Sequence, residues 1–180
     1  MKYFRLSLIL FVFILFFANC SKSPEQKIEE IQKPLQTISE APNPNGQLIV
    51  WSEALNVGVA VINTQHKNIV SLVNQLNNLV KENKSADAKE NMLDKIIADV
   101  PEHFATEEKL MKQTSYSKLL DNQQLHSDFT QKCVELQLKV KAGKTEINTE
   151  VITFLKDWLT NHVSGPDKEM GTYLVSKGIK

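Results

Sequence analysis

The stretch "HFATEEKLM", His103 to Met111, places an imidazole and a carboxylate four residues apart, at His103 and Glu107. In a helix, residues four apart lie on one face. Apolar residues precede the pair at helical spacing, at Leu93, Ile96, Ile97 and Val100. Both polar side chains are therefore expected to point into a core, where polar groups without partners are costly.

Four segments of the chain repeat apolar residues at helical spacing. They run from about Asn63 to Val80, from about Asp87 to Thr114, from about Ser117 to Ala142, and from Asn148 to Val163. The connections are short and no segment alternates at period two. The pattern predicts an all-α fold, an up-down-up-down four-helix bundle.

Local signals refine the ends of these helices. Asp87 and Glu90 have the spacing of a capping box, and Asn148 is a suitable N-cap for the fourth helix. "SGPD", Ser164 to Asp167, is expected to interrupt that helix before a short amphipathic tail. Pro101 either kinks the second helix or starts a new helix at its first turn.

The first residues differ in composition from the rest of the chain. Lys2 and Arg5 precede eleven apolar residues, from Leu8 to Ala18, which is too short for a membrane span of about 20 residues. Residues 1–19 are predicted to be a signal peptide of the lipoprotein type, with Cys20 as the lipidated residue. The other interpretation is a plain signal peptide followed by an incidental cysteine.

The remaining chain divides into a tether and one domain. Residues 20–47 are polar and rich in proline, so they are expected to form a tether, and residues 48–180 the bundle. The protein is therefore predicted to be exported and lipid-anchored to a bacterial membrane, facing the periplasm or the exterior. Arg5 is the only arginine, so nucleic-acid binding is not expected. Cys133 follows an apolar rhythm and is expected to pack in the core.

The chain has four histidines, one in each predicted helix and each in phase with its apolar stripe: His66, His103, His126 and His162. A single buried imidazole is usually an ordinary hydrogen-bonded core residue. Chance placement of all four on stripes covering about 3/7 of positions has a probability of about 0.03. The four imidazoles and Glu107 therefore require a common partner.

A pair of metal ions would provide that partner. Imidazole and carboxylate ligands suit iron, zinc or manganese, and helix bundles build such sites from facing helices. Asp167, five residues after His162, is expected to bridge the metals together with Glu107. Glu108 lies about a quarter-turn from Glu107 and is expected to be solvated.

These motifs resemble the hemerythrin family, and the bacterial hemerythrins in particular. The resemblance extends from about Ile49 to Leu174, through the stretches "VWSEALNVGVAVINTQHKNIV", "HFATEEKLM", "YSKLLDNQQLHSDF" and "FLKDWLTNHVSGPDKEMG". It implies a non-haem di-iron centre with five histidine, one glutamate and one aspartate ligands. Six of the seven match residues of this chain, namely His66, His103, Glu107, His126, His162 and Asp167.

The seventh family position falls on Asn122, where a further histidine is expected. Each iron would then have two histidines, and both irons would have an open position. Either the Asn122 carbonyl oxygen binds weakly or water fills the gap. Asn63 stands where the family has an acid, so altered support around His66 is also expected.

By resemblance, the leading function is reversible dioxygen binding, for oxygen carriage, storage or delivery at a membrane surface. Phe104 and Leu159 would wall the oxygen pocket, and no catalytic residue is assigned. Asn122 supports an alternative, a di-iron oxidase, peroxidase or nitric-oxide-consuming enzyme, because two open metals suit turnover. An iron-storage or sensing module is a third interpretation.

Overall fold

The computed structural model describes residues 46–180, so the predicted signal segment, Cys20 and nearly all of the tether lie outside the described residues. The main helices are α1 (Ala60–Lys81), α2 (Ala86–Gln113), α3 (Leu119–Lys141) and α4 (Thr149–His162). A 3₁₀ turn at Glu53–Leu55 precedes them, and a π-helical turn at Val163–Asp167 joins α4 to the short helix α5 (Lys168–Ser176). The predicted all-α four-helix fold is confirmed.

The four long helices enclose one apolar core. Helix α2 packs against α1 and α3, and α1 packs against α4. Between α3 and α4, the rings of Phe129 and Trp158 stack with centroids 3.6 Å apart. The core includes the fully buried side chains Ile62, Leu76, Leu93, Ile96, Met111, Ile152 and Leu155. Burying each such side chain contributes about 1.5–3 kcal/mol to folding.

The helix ends agree only partly with the sequence signals. Asn148 caps α4 as predicted, since its Oδ1 accepts hydrogen bonds from Glu150 N and Val151 N at 3.0 and 3.2 Å. The predicted capping box at Asp87 is wrong, because Ser85 caps α2 and accepts from Ala88 N at 3.3 Å. Helix α1 begins three residues earlier than predicted, at Ala60.

Two proline-containing segments remain helical. Pro101 lies inside α2, which is continuous through it, so it does not start a separate helix. The expected interruption at "SGPD" is confirmed in part, because the α-helix ends at His162 and the short helix α5 follows, but Val163 to Asp167 form a π-helical turn rather than a break. A π-helix bonds residue i to i+5, which matches the five-residue separation of His162 and Asp167. The wide turn therefore keeps Asp167 on the helix rather than beyond its end.

The segment before α1 is fastened to the bundle by two asparagines. Asn74 accepts from Ile49 N and donates to Ile49 O, both at 2.9 Å. Asn63 accepts from Val57 N at 2.9 Å and donates to Asn56 Oδ1 at 2.8 Å. These bonds hold the segment against α1, and Val57 of the segment lies against Gly171 of α5. Within residues 46–180, no helix combines the length and the apolar character that crossing a membrane requires.

Gly171 in α5 lies against Val57 so closely that a side chain cannot be added. A Cβ built there would overlap the Val57 carbonyl oxygen and lie 2.8 Å from Val57 Cβ. By contrast, a Cβ at Gly165 would have no neighbour within 4 Å. Only glycine therefore permits this approach of α5.

Gly171→Ala is expected to lower the free energy of unfolding by about 1–3 kcal/mol, because the added methyl group must displace backbone. Chemical denaturation of the domain measures this change. Gly165→Ala is the matched control, and its unfolding free energy is expected to stay within about 1 kcal/mol of the wild-type value. Equal stability of the two variants would contradict the packing described for Gly171.

Candidate metal centre

Six polar side chains from all four long helices and the π-helical turn meet in the core. Helix α1 supplies His66, α2 supplies His103 and Glu107, α3 supplies His126, and α4 with the following turn supplies His162 and Asp167. His66, Glu107 and Asp167 are completely buried, and the other three are at most 5% exposed. The structure therefore brings together all six residues that the sequence pattern selected.

The six donors divide into two groups of four that share both carboxylates. One group is His66, His103, Glu107 and Asp167; the other is His126, His162, Glu107 and Asp167. Within each group, one ligand atom from every residue lies within 4.8 Å of the others. Each group has two imidazoles and two carboxylates.

Glu107 turns one oxygen to each group. Its Oε1 lies 3.6 Å from both His66 Nε2 and His103 Nε2, and its Oε2 lies 3.4 Å from His126 Nε2. Asp167 does the same, with Oδ2 3.3 Å from His66 Nε2 and Oδ1 3.1 Å from His162 Nε2. Each carboxylate therefore spans the two halves of the cluster.

A relay of hydrogen bonds orients His103. The Thr106 hydroxyl donates to Glu102 O at 2.9 Å, so its oxygen is free to accept from Gln65 Nε2 at 3.0 Å. This contact turns Gln65 Oε1 toward His103 Nδ1, 3.4 Å away. Because an amide oxygen only accepts, Nδ1 carries the proton. The His103 Nε2 lone pair is then directed at Glu107 and the cluster.

Glu108 is only partly exposed to solvent, and both of its carboxylate oxygens accept hydrogen bonds, whereas the sequence expectation was a solvated side chain. Its side chain is 27% exposed and its Oε1 accepts from His126 Nδ1 at 2.9 Å. Its Oε2 accepts from Gln123 Nε2 at 2.8 Å. The quarter-turn from Glu107 directs Glu108 toward α3 rather than toward water. His126 Nε2 is consequently the nitrogen that faces the cluster with its lone pair.

Burial and mutual repulsion control the charges of the cluster. Burial lowers the pKa of His103 from 6.5 to about 3, and the His66 imidazole reinforces this effect. Burial also lowers the pKa of His126. Both imidazoles are therefore neutral near pH 7, which is the form that binds metals.

The two carboxylates behave oppositely. Burial raises the pKa of Glu107, and the Asp167 charge raises it further. Burial would also raise the pKa of Asp167, but the His162 and His66 imidazoles outweigh burial and hold it below its ordinary range. Two buried carboxylates this close do not ionise together without a cation, because their charges repel.

Several buried atoms in the cluster have no well-directed hydrogen bond to any residue of 46–180. They are His66 Nδ1 and Nε2, both oxygens of Glu107 and both oxygens of Asp167. Unpaired buried acceptors cost about 1–3 kcal/mol each. The distances between the donor atoms also suit a metal site. Two ligand atoms that each lie about 2.1 Å from one ion, with a right angle between their bonds to it, are about 3 Å apart. His126 Nε2 and His162 Nε2 are 3.1 Å apart, so the donors fit two metal ions.

Asn122 is buried one turn before His126 in α3, with 3% of its surface exposed. Its Nδ2 donates to Lys118 O at 2.9 Å, while its buried Oδ1 has no hydrogen-bond partner in the described part of the chain. Asn63 makes its hydrogen bonds to the segment before α1. Asn63 therefore attaches that segment to α1. Among residues 46–180, His66 Nδ1 has no hydrogen-bond partner.

Aromatic rings hold two of the imidazoles from the side. Phe104 stacks on His126 with centroids 3.8 Å apart and planes 2° apart. Trp158 stacks on His162 at 4.4 Å and 15°. Phe104 is buried in the core and Trp158 is half-buried against it, so the two rings restrict rotation of the imidazoles that they contact.

A small apolar cavity adjoins the cluster. Its volume is about 10 Å³, which accommodates one molecule the size of water. Its walls include His103, His162, Phe104 and Leu159. Both residues that were expected to wall an oxygen pocket therefore line this cavity.

Sequence reasoning missed the residues that support the histidines: Gln65, Thr106, Glu108 and Gln123. The one sequence signal for Gln65 and Gln123 is that each lies close along its helix to a histidine. Gln65 directly precedes His66, and Gln123 lies three residues before His126. Their partners are on other helices, and spacing along one helix does not reveal such contacts.

Known proteins share these features. Residues 57–174 match the family model described as the hemerythrin HHE cation binding domain. The chain is 35% identical over 131 residues to a bacteriohemerythrin of Methylococcus capsulatus, covering 71% of this chain and 97% of that protein. It is 32% identical over 121 residues to a bacteriohemerythrin of Stenotrophomonas maltophilia, covering 67% and 78% respectively.

More distant relatives and a solved structure agree. A myohemerythrin of Theromyzon tessulatum is 28% identical over 117 residues, covering 65% of this chain and 86% of that protein. A crystal structure of wild-type hemerythrin superposes with a TM-score of 0.67 at 31% identity, covering 71% of this chain and 98% of that one. This chain therefore belongs to the hemerythrin family of non-haem di-iron, oxygen-binding proteins.

Proposed function

We propose that the six clustered side chains hold two irons and that the chain binds dioxygen reversibly beside them. The observation that carries this proposal is the way in which each carboxylate spans the cluster. Glu107 and Asp167 each direct one oxygen to the His66 side and the other to the His126 and His162 side. Carboxylates in this arrangement can bridge two metals about 3.5–4 Å apart.

The proposed ligand sets follow the two groups. His66 and His103 would bind one iron, His126 and His162 would bind the other, and the two carboxylates would be shared. When bound, the iron pair supplies the electrons that dioxygen takes up and returns on release. The positive charge of the ions would also allow Glu107 and Asp167 to be ionised together.

The protein's own contribution is to hold the ligands still and to keep water away. Stacking by Phe104 and Trp158 limits motion of His126 and His162. The small cavity walled by Phe104 and Leu159 offers apolar surface to an apolar gas molecule. A dry, rigid pocket favours release of intact oxygen over side reactions with water.

Reduced protein loaded anaerobically with Fe²⁺ is expected to hold about two irons per chain and to gain a visible absorption band in air. The band should disappear when oxygen is removed. Metal analysis measures the iron content, and spectrophotometry measures the band.

Glu107→Ala is expected to lose iron from both positions, because Glu107 Oε1 and Oε2 face different groups. Glu102→Ala, an exposed change in the same helix, is the control. A band that persists without oxygen would contradict reversible binding.

We also propose that a lipid on Cys20 anchors the bundle to a bacterial membrane, facing the periplasm or the exterior. The support is the order of basic residues, apolar run and cysteine in residues 1–20. An anchored bundle would capture, store or deliver oxygen next to the membrane.

Cys20→Ala is expected to abolish fatty-acid labelling and to release the protein from the membrane fraction. Labelling cells with a fatty-acid analogue and fractionating them measures both effects. The matched control is Cys133→Ala, which removes the chain's other cysteine and should leave labelling intact. A labelled Cys20→Ala protein would contradict the anchor.

One observation favours a second candidate function, a di-iron oxidase, peroxidase or nitric-oxide-consuming enzyme. Asn122 occupies the position where the resemblance implies a fifth histidine, and its buried Oδ1 has no partner. With two imidazoles in each group, both irons would keep an open position. Open positions on both ions suit turnover better than storage.

Under the leading proposal, wild-type protein supplied with a chemical reductant should consume oxygen or hydrogen peroxide no faster than His103→Ala. Asn122→His should hold the same two irons, because the shared carboxylates are unchanged. Oxygen-electrode and peroxide assays test this expectation. Sustained consumption that disappears in His103→Ala and falls in Asn122→His would favour the enzyme instead.

A further inference from the structure

The histidines of the cluster differ in the partners of their Nδ1 atoms, which point away from the shared carboxylates. His126 Nδ1 has the Glu108 carboxylate at 2.9 Å. His103 Nδ1 has the neutral Gln65 amide oxygen at 3.4 Å, and His66 Nδ1 has no partner within the residues that the structure describes. The charged partner therefore lies on the half of the cluster where Asn122 replaces the expected histidine.

Glu108 is itself held in place. Its Oε2 accepts from Gln123 Nε2 at 2.8 Å, so α3 contributes both residues that bind this α2 carboxylate. The side chain is 27% exposed, which leaves it mostly shielded from water. Glu107 and Glu108 are adjacent on α2. The Glu107 carboxylate reaches into the cluster, and the Glu108 carboxylate binds the His126 nitrogen that faces away from it.

The hydrogen bond from His126 Nδ1 to Glu108 determines which His126 nitrogen faces the cluster with a lone pair available to a metal. An ionised carboxylate only accepts, so His126 Nδ1 carries the proton, and in the neutral imidazole Nε2 keeps its lone pair. His126 Nε2 lies 3.1 Å from His162 Nε2 and 3.4 Å from Glu107 Oε2. A negative charge behind an imidazole increases its basicity toward a metal, and losing such a partner typically weakens metal binding 10–100-fold.

We propose that Glu108 is a positioning residue that fixes the His126 tautomer and strengthens His126 as a ligand. The half of the centre formed by His126 and His162 thereby retains its metal although Asn122 supplies no imidazole. This inference rests on the proposed two-metal function. The His66 and His103 half does not depend on Glu108.

Histidine ¹⁵N NMR of the metal-free protein tests the tautomer directly. Wild-type His126 is expected to be protonated at Nδ1. Glu108→Ala should mix the two tautomers, whereas Glu108→Gln should largely keep the Nδ1 proton, because an amide oxygen still accepts. Glu102→Gln, an exposed change on the same helix, should match the wild type.

Titration with Zn²⁺, a diamagnetic ion that imidazole binds well, tests the ligand strength of each half in the same spectra. In Glu108→Ala, the His126 and His162 signals should require 10–100-fold more Zn²⁺ than in the wild type. The His66 and His103 signals should respond as before. Glu108→Gln should fall between Glu108→Ala and the wild type, because it keeps the hydrogen bond but loses the charge.

An unchanged His126 tautomer in Glu108→Ala, or equal weakening of both halves, would overturn the inference. A purely structural role for Glu108 predicts that equal weakening. If wild-type protein binds no metal in either half, the proposed function fails, whereas the tautomer measurement still judges Glu108. Circular dichroism establishes that each variant is folded before titration.

Discussion

The structure depends on a charge problem in the centre of its core. Glu107, Asp167 and His66 are completely buried, and neither carboxylate has a well-directed hydrogen bond. Burial and mutual repulsion raise the pKa of Glu107, while the adjacent imidazoles hold the pKa of Asp167 low. A domain of marginal stability does not carry such groups without compensation, and two bound cations provide it. The surrounding helices are arranged to keep these donors together.

The π-helical turn shows how the backbone serves this requirement. Val163 to Asp167 continue the helix with a wider turn, although Pro166 lies inside it. A regular helix would place a residue five positions after His162 away from the same face. The extra residue of the π turn instead brings Asp167 Oδ1 to within 3.1 Å of His162 Nε2. The close approach of Gly171 to Val57 then holds the following helix against the bundle.

The two halves of the cluster differ in the hydrogen-bond partners of their histidines. A neutral relay from Thr106 through Gln65 orients His103. A carboxylate, Glu108, orients His126 at a shorter distance. Phe104 and Trp158 add steric restraint on the same side as Glu108. The half that lacks a histidine therefore has a charged hydrogen-bond partner and two stacked aromatic rings.

Sequence alone determined the helix count, the inward faces and the six clustered donors. The helices, the four histidines and Glu107 follow from periodicity within single segments, and helical periodicity is a local property. Asp167 was selected instead by its spacing after His162 and by the family resemblance. The two-residue error at Ser85 and Asp87 shows that competing caps near a helix start are harder to rank. The sequence also predicted that Phe104 and Leu159 line a pocket beside the cluster, because each lies close along its helix to an inward-facing histidine.

Only the tertiary structure decided the role of Glu108 and the path of the chain through Pro166. A side chain a quarter-turn from Glu107 on α2 can face either water or another helix. The position of α3 determines that Glu108 faces His126. Likewise, proline lacks an N–H, so "SGPD" is expected to break the helix, but Val163 to Asp167 continue it as a π-helical turn. Contacts between segments distant along the chain carry no periodic signal, so they emerge only when the helices are placed side by side.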